Sequence, residues 1–124
     1  MQDNVSVFRS FLLIELDNLV EAIQQLIGAC AEKYKKRTIS HYVQLENTAF
    51  FQKEITGITG FREDLMHFNV DEFTDADDLA KALKNLFAER VSHYDLPLAI
   101  IALVDLKIDK VLRYIKQERG TPVH

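Results

Sequence analysis

Residues 5–35, VSVFRSFLLIELDNLVEAIQQLIGACAEKYK, contain no proline and place Leu12, Leu16, Leu19, Ile23, Leu26 and Cys30 at alternating intervals of four and three. Side chains spaced this way fall on one stripe of an α-helix, the seam that packs against a neighbour. The stretch therefore predicts one long helix. Gly28 is its weak point, at about 1 kcal/mol against alanine. The helix ends in Lys33, Lys35, Lys36 and Arg37, cations that favour the negative end of the helix dipole.

The same spacing recurs downstream. A second helix is expected over 38–55, with Ile39, Tyr42, Val43, Leu45, Phe50 and Ile55 as its apolar positions. Gly57 and Gly60 then predict a break, followed by a short helix from Phe61 to Phe68 and a loop from Asn69 to Phe73. Thr74 is positioned to cap a further helix running to Val91, with Asp75, Asp77 and Asp78 in its first turn. Leu79, Leu83, Leu86 and Phe87 should face inward. Asp95 is the expected cap of a last helix that carries Ile101, Val104, Ile108, Val111 and Ile115 on its seam, with Gly120 and Pro122 after its end. No alternating apolar run competes as a strand. The expected fold is all-α: an antiparallel up-down bundle of four main helices plus one short helix, with residues 1–124 as a single domain. The expected core includes Leu16, Leu19, Ile23, Leu26, Leu83, Ile101, Val104 and Ile108.

A faint echo runs through the chain. Phe8-Arg9-x-x-Leu12 resembles Phe61-Arg62-x-x-Leu65, and Ser40-His41-Tyr42 recurs as Ser92-His93-Tyr94. Two related hairpins would produce it, and so would coincidence between short words.

Composition narrows the function classes. The 124 residues carry a net charge of −4, which argues against a broad nucleic-acid surface. The single cysteine, Cys30, allows no internal disulfide and reads as a small core residue. The first residues, MQDNVS, lack the basic region of a signal peptide. The longest apolar run, Leu96–Leu106, contains Pro97 and Asp105 and is too short for a bilayer. The expectation is a cytoplasmic protein with no membrane association. The acidic set Asp71, Glu72, Asp75, Asp77 and Asp78 lacks the spacing and the glycine of an EF-hand loop. Glu89 and His93 make only two ligands. No metal or other cofactor is expected.

Two places carry candidate chemistry. The basic run Lys33, Tyr34, Lys35, Lys36 and Arg37 combines cations with an aromatic, a pairing that suits RNA phosphate and a stacked base. The segment Phe61-Arg62-Glu63-Asp64-Leu65-Met66-His67-Phe68 sets an arginine five residues before a histidine. This pattern, within an all-helical frame, resembles the motif of the HEPN family of small helical bundles, many of them metal-independent ribonucleases. The resemblance implies a site at a dimer interface. There Arg62 would hold the scissile phosphate, and His67 would act as general base or acid while a ribose 2′-hydroxyl attacks. Glu63, where the family usually carries asparagine or another small polar group, lies one turn before His67 and can meet it.

With no other catalytic constellation in the chain, the leading expectation is a non-catalytic interaction or regulatory protein, such as an adaptor or an antitoxin- or immunity-type protein. A HEPN-type ribonuclease or inactive relative is the alternative. A homodimer is expected from the first two turns of the last helix, Leu98 to Val104, which are apolar all round. A protein partner is also expected, and RNA is a candidate.

Overall fold

The computed structural model describes residues 4–120, the side chains of 119 and 120 excepted. Among these residues, four helices form the bundle: α1 (Asn4–Lys35), α2 (His41–His67), α3 (Ala76–His93) and α4 (Ala99–Ile115). A 3-10 turn, Val70–Glu72, joins α2 to α3, and a π-helical turn, Lys116–Gly120, follows α4. Among the described residues there is no strand. Pro122 lies outside them.

Side-chain contacts fix the topology. Arg9 donates to the carbonyl of Phe68, Arg62 pairs with Asp17, and Tyr34 stacks on His41, so α1 and α2 run antiparallel along their whole length. Arg90 near the end of α3 reaches Asp64 of α2. On α4, Lys107 and Lys110 both meet Glu15 of α1, and Lys116 just beyond it meets Asp77 of α3. The bundle is thus up-down throughout. Its core is a continuous cluster that includes Phe8, Leu12, Leu16, Ile58, Phe61, Leu65, Leu79, Leu83, Phe87, Ile100, Val104 and Ile108.

Several sequence expectations need correction. The break at Gly57–Gly60 does not occur, and the short helix expected over 61–68 is the last part of a continuous α2. The glycines are there for closeness. A Cβ at Gly57 would come within 2.8 Å of Leu96 and Ile100 side-chain carbons, and one at Gly60 would run into the Arg90 guanidinium. Packing of α3 and α4 onto this stripe outweighs a propensity cost of about 1 kcal/mol per glycine.

The α3 cap is Asp75, whose carboxylate accepts from the Asp77 N–H, and Thr74 stands just outside. Asp95 caps nothing. It sits at φ 51° after α3, while α4 begins behind Leu98 with no side-chain cap. The bonds from Leu96 N to Val91 O and from Asp95 N to Ser92 O close a Schellman motif around that left-handed residue.

On α4 the core register is Ile100, Val104, Ile108, Val111 and Ile115, all buried; Ile101 is only half-buried. Of the all-round apolar start of α4, Ile100 and Val104 are buried, Ile101 and Leu103 are half-buried, and Leu98, Ala99 and Ala102 are exposed. The repeated Ser-His-Tyr words are not equivalent. Ser40 caps the start of α2, whereas Ser92 and His93 end α3.

Candidate functional site

At about 1.5 Å per residue, α1 is about 48 Å long, whereas α3 and α4 are about 25–27 Å. The α1–α2 hairpin therefore extends past its neighbours. Gly57 on α2 lies against Leu96, in the connection between α3 and α4, and against Ile100 at the start of α4. Above that level no third helix among the described residues covers the hairpin. Residues 24–53 form a two-helix arm in which Cys30 alone is buried. The reading of Cys30 as a small buried residue holds. Leu26, expected in the core, is 48% exposed, because the seam on which it lies has outrun α4.

The two seams continue unbroken into the arm. On α1, Leu16, Leu19 and Ile23 are buried, and the same four-three spacing leads on to Leu26, Cys30, Lys33 and Arg37. On α2, Phe61, Ile58 and Gly57 are buried, and the stripe runs back through Glu54, Phe50, Asn47 and Val43. Phe50 is 43% exposed, and Val43 and Asn47 are exposed as well. The face that α3 and α4 cover below is thus open above, where Leu26, Phe50 and Val43 share it with Asn47, Lys33 and Arg37.

Glu54 stands at the border. It is 4% exposed and makes no hydrogen bond or ion pair among the described residues. Burial pushes its carboxyl above the ordinary value of 4.5. A charged side chain without a partner is an uncommon occupant of a buried seam position.

The tip of the arm is ordered by its own contacts. Arg37 takes φ 63°, and the bonds from Thr38 N to Lys33 O and from Arg37 N to Tyr34 O make a second Schellman motif. The Arg37 guanidinium lies 5.2 Å from the centre of the Tyr34 ring, and His41 stacks on that ring at 5.0 Å. Lys33, Lys35, Lys36 and Arg37 are exposed around it. The basic run thus forms one cationic tip, with Tyr34 already engaged by its neighbours.

The three motif residues on α2 divide differently. Arg62 Nε and Nη2 donate to the two carboxylate oxygens of Asp17 at 2.7 and 3.3 Å, and Nη1 reaches the Met66 sulfur. His67, at the last position of α2, is exposed and lies 3.8 Å from Glu63. Glu63 and His67 therefore come together, while Arg62 is engaged by α1. Five residues along a continuous helix turn the two positions about 140° apart.

A second polar groove is lined by Asp64, Glu89, Arg90, His93 and Tyr94. Its arginine is also committed. Arg90 makes a two-pronged pair with Asp64 at 2.7 and 3.0 Å and sits 4.9 Å from the Tyr94 ring centre. The hydrogen bond to Asp64 raises the Arg90 pKa further. Among the described residues, no three His, Cys, Asp or Glu side chains cluster as metal ligands. No helix among them is long and apolar enough to cross a membrane.

Sequence reasoning passed over Glu54, Phe50 and Val43 as site residues. The signal was the Val43–Asn47–Phe50–Glu54 spacing, which continues into Gly57 and Phe61 once α2 is read as one helix. Compared with family models, curated proteins and solved structures, the chain matches none of them.

Proposed function

We infer that the protein is a non-catalytic interaction module whose working surface is the open face of the α1–α2 arm. The observation that carries this reading is the arm itself, 30 residues from 24 to 53 with one buried side chain. A two-helix hairpin gains little from its own packing, and an apolar seam left open is a surface that soluble proteins cover on binding. The commitment of Arg62 to Asp17 adds support, because a guanidinium already holding a carboxylate on two prongs must release it to hold a phosphate.

The competing reading is cleavage of RNA by Arg62 and His67. Purified protein incubated with total RNA and a chelator separates the two. The interaction reading expects intact RNA. Cleavage leaving cyclic-phosphate ends, lost in both Arg62→Ala and His67→Ala, overturns it.

A further inference from the structure

The occupant of the open face follows from its charges. Across the hairpin, Tyr34 faces His41, Asp17 faces Arg62 and Arg9 faces Phe68. By that register Glu54 lies at the level of Ile23. The seam on α1 thus carries, in order, Ile23 at the level of Glu54, then Leu26, Cys30 and Lys33. Lys33 is exposed, and its ammonium has no partner among the described residues. The face therefore has an unpaired anion at its base and an unpaired cation ten residues higher, about 15 Å away, with apolar side chains between them.

Such a surface is complementary to itself when turned by a two-fold axis. With the axis at the level of Gly28, each Lys33 comes level with the opposite Glu54, each Leu26 comes level with the opposite Cys30, and the two Phe50 rings lie close to the height of the axis. An isologous contact requires this reciprocity.

We propose that the open face of the arm docks antiparallel against the same face of a second copy of this chain, with Lys33 of each copy set against Glu54 of the other. This rests on the reading of the arm as a contact surface and names what fills it. The contact completes a four-helix bundle out of two hairpins and sets a cation beside the Glu54 carboxylate, which has no ion-pair partner among the described residues. A face about 18 Å long and two helix diameters across, about 20 Å, covers about 360 Å² per copy and about 720 Å² in all, which is below the range of stable interfaces and is the size of a weak, reversible contact. The dimer is accordingly weak and dissociates on dilution.

Sedimentation equilibrium from low to high micromolar concentration tests this with the full chain and four variants. The native chain is expected to pass from 14.3 kDa to twice that mass. Phe50→Asp is expected to stay monomeric with its helical circular dichroism unchanged. Lys33→Glu and Glu54→Lys should each weaken dimerisation roughly tenfold or more, and the double exchange should restore it. Should Glu54→Lys fail to fold, Glu54→Gln takes its place. It removes the charge without reversing it and must still weaken the dimer. A native chain that remains at 14.3 kDa throughout overturns the proposal, as does a dimer indifferent to Phe50→Asp or a folded double exchange that restores nothing. A monomeric chain that leaves RNA intact removes the second copy alone. A dimer that cleaves RNA through Arg62 and His67 removes the non-catalytic reading alone.

Discussion

Gly60 of α2 lies directly beneath the Arg90 guanidinium of α3: a Cβ there would come within 2.7 Å of the Arg90 Cζ. The absence of a side chain is what lets Arg90 cross the helix and grip Asp64 on two prongs. Gly28 is the contrasting case, with nothing within 4 Å of its would-be Cβ. Gly28→Ala should raise stability by about 0.5–1 kcal/mol through helix propensity alone. Gly60→Ala should lower it, because the same gain is set against displacing Arg90 from Asp64. Thermal unfolding of the two variants at one concentration checks the sign of each.

Ile100 and Ile101 are neighbours with different surroundings. Ile100 is fully buried against Gly57, whereas Ile101 is half-buried. Ile100→Ala should cost about 2–5 kcal/mol, the range for a fully buried aliphatic truncated to alanine. Ile101→Ala should cost clearly less. Urea unfolding of both, with m-values compared, measures the difference.

Burial raises the Glu54 carboxyl above 4.5, and burial also raises Asp105 above 3.8, against the opposing pull of Lys84. A carboxyl with a raised native pKa binds its proton more tightly in the folded state. Stability is therefore lost as pH climbs from the unfolded value through the folded one. Glu54→Gln should accordingly stabilise the monomer at pH 7, and that gain should vanish below 4.5. The same substitution weakens the proposed dimer, so its effects on unfolding and on association have opposite signs. Denaturation of dilute protein at pH 4 and pH 7 checks the first sign.

Much of the fold was legible in residues 5–35, because an uninterrupted four-three seam leaves a helix as the only economical conformation. The seam of α4 was legible too, except at Ile101, where an all-apolar turn offers no polar face to fix the register. The expected break at Gly57–Gly60 misread two glycines whose role is tertiary. Nothing local distinguishes a glycine that ends a helix from one over which Ile100 or Arg90 crosses. Asp95 was misplaced for a similar reason, since a short polar residue serves equally well before a helix or in a left-handed turn after one. The open face was harder to see. Leu26 has the sequence signature of a core residue, and only the short reach of α3 and α4 uncovers it. The Glu63–His67 pair was legible from its spacing. The engagement of Arg62 by Asp17, 45 residues away, had no local signal.

On the proposed reading, association completes the arm. Hydrogen exchange followed by mass spectrometry at low and at high micromolar concentration tests it most directly. Peptides from 24–53 should exchange fast in dilute protein, where the hairpin stands alone, and should slow by roughly tenfold or more on concentration. Peptides around Ile58–Leu65 and Leu79–Val91 should be unaffected. Arm peptides as protected as the core at every concentration would contradict the account.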